Sequence, residues 1–101
     1  MRLTPVERER IRKAVRSELG GRGRYTIRIF GSCLDDAVRG GDVDLHLDLP
    51  DTPVEERLAV ERRLRPYLEE LLDRPVDLVT DGPGAAPKAV TEIARREGVP
   101  L

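Results

Sequence analysis

The hydrophobic residues of the first twenty positions recur at the spacing of an α-helix. Thr4-Pro5-Val6-Glu7 has threonine at the N-cap, proline at the first helical position and glutamate at the third, which is the pattern of a capping box. Gly20-Gly21 follows the last apolar residue, so the helix is predicted to end at about Leu19. The predicted buried stripe consists of Val6, Ile11, Ala14, Val15 and Leu19.

Two later segments have the patterns of β-strands. Tyr25 to Phe30 is rich in aromatic and β-branched residues and alternates in part, which predicts a buried strand. From residue 42 to residue 49 polar and apolar positions alternate throughout, which predicts a strand with one buried and one polar face. The apolar positions are Val43, Leu45, Leu47 and Leu49, and the polar ones are Asp42, Asp44, His46 and Asp48.

A second helix is predicted from the signature Thr52-Pro53-Val54-Glu55 to about Asp73. Because Pro66 lies inside this pattern, a kink or a break into two helices is expected near Arg65.

The remaining chain predicts a third short strand, Val76 to Thr80, and a loop of Gly, Pro and Ala over residues 81–86. A last helix is predicted from Pro87 to about Glu97, with Gly98 just beyond its end.

These elements predict a single α/β (α+β) domain over residues 1–101. Three strands with helices between them imply a small mixed β-sheet of about three to four strands with helices packed on it, in two layers. A length of 101 residues fits one domain.

Composition argues against several classes of protein. Charged residues make up 37% of the chain, but the net charge is only -1, so we expect no independent nucleic-acid binding. Cys33 is the only cysteine, which excludes an intramolecular disulfide. The chain begins with charged residues and contains no long apolar run, so a cytoplasmic protein without membrane attachment is expected.

Three carboxylates are candidates for chemistry. Asp42 and Asp44, two positions apart on one strand face, lie about 6.6 Å apart along the chain and repel each other unless a cation lies between them. The alternative is a solvated strand face. Asp77 lies in an apolar strand, where a lone carboxylate is costly unless it is paired or bound to a metal. If a neighbouring strand brings it beside Asp42 and Asp44, the three form a magnesium site suited to displacement at phosphorus.

A glycine directly after the first predicted strand is a candidate phosphate contact. Gly31 lets a ligand approach the backbone, and Ser32 offers a hydroxyl and an N–H to a phosphate oxygen. The alternative is an ordinary turn. On the polar face of the next strand, His46 is expected to be a half-exposed polar residue rather than a ligand, and Asp48 is expected to be solvated.

Taken together, these motifs resemble a known family. Gly31-Ser32, a nine-residue spacer, Asp42-x-Asp44 and a later Asp77 in a Val-Asp-Leu-Val strand are similar to the DNA polymerase beta-like nucleotidyltransferase superfamily. The closest resemblance is to its minimal nucleotidyltransferase (MNT) proteins, and it covers nearly the whole chain. Cys33 stands where these proteins often carry arginine.

The resemblance implies a role for each motif residue. Gly31 and Ser32 would contact the triphosphate of a bound nucleotide. Asp42 and Asp44 would bind two magnesium ions. Asp77 would be a third metal ligand or the base that activates the attacking hydroxyl.

The resemblance also implies an activity and a partner. Many MNT proteins are antitoxins that use ATP to place AMP on a tyrosine of a HEPN-type toxin, so this chain is expected to transfer a nucleotide to a partner protein. The alternatives are a catalytically inactive module that neutralises a toxin by direct contact, and a plain structural domain. Homo-oligomers and hetero-oligomers are both left open.

Overall fold

A computed structural model describes residues 3–21, 23–31, 42–86 and 88–101. Its elements are α1 (Pro5–Leu19), β1 (Thr26–Phe30), β2 (Val43–Asp48), α2 (Val54–Leu72), β3 (Val76–Asp81), α3 (Ala89–Glu97) and β4 (Val99–Pro100). None of the described helices is both long enough and apolar enough to cross a membrane.

The four strands form one sheet in the order β3-β2-β1-β4. β1 is antiparallel to β2 and to β4, whereas β2 and β3 are parallel, so the sheet is mixed. The α+β class and the mixed sheet are therefore confirmed. The sequence pattern did not indicate β4, because two residues are too short to show an alternation.

The hydrophobic core lies between α1, α2 and one face of the sheet. The apolar positions of β2 are almost completely buried, as its alternation predicts. They pack with the inner stripes of both helices, and each helix contributes residues that are fully buried. The main contributors are Ile11 and Val15 from α1, Leu64 and Leu68 from α2, and Val43, Leu45, Leu47 and Leu49 from β2 and the residue after it.

α3 packs on the opposite face of the sheet from α1 and α2. Helices therefore cover both faces, and the expected arrangement of two layers does not describe the whole fold. Its Arg95 reaches Asp48 and Asp81, and Gly98 after it lies against the side chain of Arg28 on β1. Arg28 is the register partner of His46, on the polar face of β2. The polar face of β2 is thus partly covered by a helix rather than left to solvent.

The two predicted capping boxes differ. At Thr4 the box forms in full, because the threonine side chain accepts the N–H of Glu7 and the glutamate accepts the N–H of Thr4. At the start of α2 the N-cap is Pro53, and no side-chain cap is present. The expectation at Thr52 is wrong because the helix begins one residue later, which leaves Thr52 buried before it.

α2 continues through Pro66 as one helix, so the alternative of a break into two helices is wrong. Pro66 itself is exposed, whereas Leu64 and Leu68 on either side of it are buried in the core. Packing on both sides of the proline holds the two halves of the helix on the same surface despite the lost hydrogen bond.

Two glutamates of α2 cover the outer edge of β3. Glu69 accepts the N–H of Val76 at 3.0 Å, and Glu61 accepts both the N–H and the hydroxyl of Thr80. Exposed edge strands invite pairing with other chains. These carboxylates occupy donors of β3 that β2 does not use, and they fix the strand that carries Asp77.

Replacing Pro66 with alanine is expected to raise the free energy of unfolding by about 1–3 kcal/mol, because alanine restores a donor inside α2 and no buried contact is lost. Urea denaturation measures the change. Pro53→Ala is the matched control, since proline at a helix start costs little. A Pro66→Ala protein no more stable than Pro53→Ala would contradict this account.

Candidate active site at one edge of the sheet

The strand directions bring the predicted site residues to one edge of the sheet. β2 and β3 are parallel and both begin at this edge, and β1, which is antiparallel to β2, ends there. Asp42 and Asp44 therefore lie at the start of β2, Asp77 at the start of β3, and Gly31 just after the end of β1. Sequence positions spread over nearly fifty residues become neighbours.

Asp44 and Asp77 are direct partners in the parallel register. Neighbouring strands lie about 4.8 Å apart, and side chains directly across from each other point to the same face. Asp44 is half-buried, whereas Asp42 and Asp77 are exposed. The pairing that the sequence left conditional is thus present, and it places an accessible carboxylate beside a partly enclosed one.

The surroundings of Asp44 oppose its ionisation. Burial raises the pKa of the Asp44 carboxyl above its usual range, and the negative charges of Asp77 and Asp42 raise it further. A carboxylate in this position is stabilised by a proton or by a cation. The site therefore attracts positive charge, and a divalent ion would offset more of the repulsion than a monovalent one.

Gly31 closes the other side of Asp44. Its φ of +74° is a left-handed conformation that residues with a Cβ rarely adopt. A Cβ built there would collide with the Oδ2 atom of Asp44. Glycine is therefore required twice, for the backbone conformation and for the close approach of the backbone to the carboxylate.

The residues fit a magnesium ion that takes only some of its ligands from the protein. Among the described residues, no three His, Cys, Asp or Glu side chains are close enough, as they stand, to hold a metal by themselves. Magnesium usually binds through one or two carboxylates and takes its other ligands from water and substrate phosphates. Asp44 and Asp77 supply two carboxylates, and Asp42 beside them adds negative charge.

Part of the expected phosphate turn lies outside the described residues. Ser32 and Cys33 fall in residues 32–41, between the described ranges. The proposed contact of Ser32 with a nucleotide therefore stays a prediction, while the close packing of Gly31 on Asp44 is observed.

The burial of His46 differs from what the sequence predicted. It is fully buried, and neither of its ring nitrogens has a hydrogen-bond partner. Its Nε2 atom lies 3.7 Å from Oδ2 of Asp81. Burial lowers the pKa of His46, and the charge of Arg28 lowers it further. The expectation of a half-exposed residue is wrong because α3 covers this part of the sheet.

A salt-bridge network that the sequence did not reveal surrounds this histidine. Asp81, at the end of β3, is buried and contacts Arg95 of α3 at 2.7 Å. Asp48, expected to be solvated, is half-buried and lies 3.8 Å from the same guanidinium. The available signal was the alternation of β2, which already placed Asp44, His46 and Asp48 on one face.

The chain matches the model of a known protein family. A family model described as the nucleotidyltransferase domain matches residues 8–96, a range that includes Gly31, Asp42, Asp44 and Asp77. A search among curated proteins finds no match to this chain.

Gly31→Ala is expected to lower the free energy of unfolding by about 1–3 kcal/mol more than Gly84→Ala does. Both glycines have a positive φ, but a Cβ at Gly84 meets nothing within 4 Å, whereas one at Gly31 meets Asp44. The difference between the two variants, measured by urea denaturation, isolates the contact with the carboxylate. Equal losses would show that the close approach to Asp44 has no energetic weight.

His46→Leu is expected to be at least as stable as the parent protein at pH 7, because leucine fills a similar volume without unpaired polar atoms. The advantage of the variant should grow between pH 7 and pH 5. Because its pKa is lowered in the folded protein, His46 binds a proton more readily in the unfolded chain. Falling pH therefore lowers the free energy of unfolding of the parent protein through this residue, a contribution that His46→Leu lacks.

Between pH 7 and pH 5 the difference in the free energy of unfolding between the two proteins can grow by at most about 2 kcal/mol, because the histidine of the unfolded chain has the usual pKa. Thermal unfolding across this pH range measures it, and His46 is the only histidine of the chain. A constant difference between the two proteins would show that the buried imidazole titrates normally.

Proposed function

Because the chain belongs to the nucleotidyltransferase domain family, we propose that it transfers a nucleoside monophosphate, AMP from ATP, to a hydroxyl of a partner protein in a magnesium-dependent reaction. General nucleotidyl transfer follows from the family. The observation that carries the proposal is the register pairing of Asp44 with Asp77, with the backbone of Gly31 against Asp44.

Asp42, Asp44 and Asp77 are the residues that would hold magnesium. When bound, the metal would offset the charge of the phosphate oxygens and make the attacking oxygen a better nucleophile. The raised pKa of Asp44 supports this assignment, because burial and two neighbouring carboxylates create the need for a cation there. Gly31 presents backbone beside the carboxylates, where triphosphate oxygens would lie.

The proposed step is an in-line displacement. The acceptor hydroxyl oxygen forms a bond to the α-phosphorus, the bond from that phosphorus to the β-phosphate oxygen breaks, and pyrophosphate leaves. The hydroxyl proton passes to a carboxylate, for which Asp77 is the candidate. Asp77 is exposed at the sheet edge, so an incoming hydroxyl has access to it.

A protein acceptor is favoured over a nucleic acid. The net charge of -1 provides no general attraction for a phosphate backbone, and the candidate site itself is acidic. Asp42 and Asp77 of this site are exposed, so a side chain of a folded partner has access to them. The resemblance to MNT antitoxins supports a HEPN-type toxin as this partner, with neutralisation of the toxin as the biological role.

The direct test incubates the protein with a HEPN-type protein, Mg²⁺ and ATP labelled either at the α-phosphate or at the γ-phosphate. Nucleotidyl transfer predicts label on the partner from the α-labelled ATP only, and loss of that label with EDTA. Transfer from the γ-position would identify a kinase instead. A partner that is neutralised without any label would support the inactive binding module.

Asp44→Asn is expected to reduce label transfer by about 100-fold or more, since it removes a carboxylate that would hold the magnesium ion at the reacting phosphate. The same variant should be more stable than the parent protein in EDTA, because it relieves the repulsion that raises the Asp44 pKa. Label-transfer rates and urea denaturation measure the two effects.

Asp73→Asn is the matched control. Asp73 is exposed at the C-cap of α2 with a φ of 51°, a conformation that asparagine also tolerates. It should change neither rate nor stability appreciably. Full activity in Asp44→Asn would remove Asp44 from the proposed site.

A further inference from the structure

Two shallow hollows between the outer faces of α1 and α2 meet at the ring of Tyr67. The larger, about 270 Å³, is lined by Arg10, Lys13, Ala14, Ser17, Tyr67 and Leu71. The smaller, about 170 Å³, shares three of these residues and adds Glu18, Arg63 and Leu64. We call the two hollows together the Tyr67 groove.

The groove exists because α1 carries small residues where α2 carries a large one. Ala14 and Ser17 face Tyr67 across the helix pair and cannot fill the space beside its ring. The tyrosine is 52% exposed, and the neighbouring Leu71 is only partly buried. An aromatic and an aliphatic surface are thus open to a ligand on the side of the sheet opposite Asp44.

The charge in the groove is uneven. Arg10 and Lys13 are exposed, one helical turn apart, and none of the described residues lining the larger hollow is acidic. In the smaller hollow the cation Arg63 is already paired with Glu18. The net positive charge of the lining residues therefore lies at one end of the groove, beside Tyr67 and Leu71.

We propose that the Tyr67 groove binds an acidic peptide segment of a partner protein. An apolar side chain of the segment packs on Tyr67 and Leu71, and its flanking carboxylates pair with Arg10 and Lys13. Aromatic residues and arginine are the side chains that most often anchor such interfaces. Two cations are too few for binding driven by a nucleic-acid backbone, whereas they match the charges around one apolar anchor.

This interaction is separate from the proposed catalysis. α1 and α2 cover the face of the sheet that carries the apolar residues of β2, and Asp44 lies on the other face. A segment held in the groove leaves the candidate site open. The groove can therefore be tested without any nucleotide, and failure of the transfer reaction would not affect the result.

The experiment measures fluorescence anisotropy of a labelled peptide, Asp-Glu-Leu-Leu-Glu-Asp, titrated with the full chain. Saturable binding that weakens as salt is added is expected. The variant Arg10→Glu/Lys13→Glu should weaken binding by about tenfold or more, and Tyr67→Ala should weaken it to a similar extent. Arg62→Glu, a charge reversal on α2 outside the groove, should leave binding unchanged.

Two control peptides separate the components of recognition. Lys-Lys-Leu-Leu-Lys-Lys should not bind, and Asp-Glu-Gly-Gly-Glu-Asp should bind at least about tenfold more weakly than the leucine peptide. Circular dichroism of each variant checks that it is folded, and Tyr67→Phe, which keeps the ring, should retain binding.

Several results would overturn the proposal. These are the absence of saturable binding, equal binding of the acidic and basic peptides, or an equal loss in Arg62→Glu. Concentration-dependent dimerisation that Tyr67→Ala abolishes would assign the groove to a second copy of the chain. Binding of a single-stranded oligonucleotide that requires Arg10 and Lys13 would assign it to a nucleic acid.

Discussion

The parallel pairing of β2 with β3 is the interaction on which the candidate site depends. It sets Asp44 directly beside Asp77, two carboxylates that repel each other, and the repulsion must be balanced by packing elsewhere. The apolar face of β2 against α1 and α2 provides that packing, and the glutamates of α2 hold β3 at its outer edge. The fold thus maintains a concentration of negative charge that an isolated strand pair would not keep.

Polar groups also lie beneath α3, on the same face of the sheet as Asp44. Arg28 and His46 each have buried nitrogen atoms without a hydrogen-bond partner, and an unmade bond of this kind costs about 1–3 kcal/mol. Ala94 is the one buried residue of α3, so apolar packing contributes little to holding this helix in place. Arg95 of α3 forms a salt bridge with Asp81 of β3 at 2.7 Å, a specific contact between this helix and the sheet.

Sequence patterns predicted the parts of the fold that depend on local rules. The capping box at Thr4 and the buried apolar positions of β2 are both determined by nearby residues, and both are as expected. The partnership of Asp44 with Asp77 could be stated only as a condition, because strand order is decided by packing over the whole chain. Burial of His46 could not be foreseen, since it depends on how α3 and the two-residue β4 return to the sheet.

The proposed function requires that the half-buried carboxylate of Asp44 interact with a magnesium-bound nucleotide. NMR titration of the Asp44 carboxyl carbon tests this directly, without and with Mg²⁺ and a non-hydrolysable ATP analogue. We expect a pKa above the usual aspartate range in the metal-free protein and a clear fall of that pKa when metal and nucleotide are added. An Asp44 pKa that stays the same at saturating metal and nucleotide would contradict it.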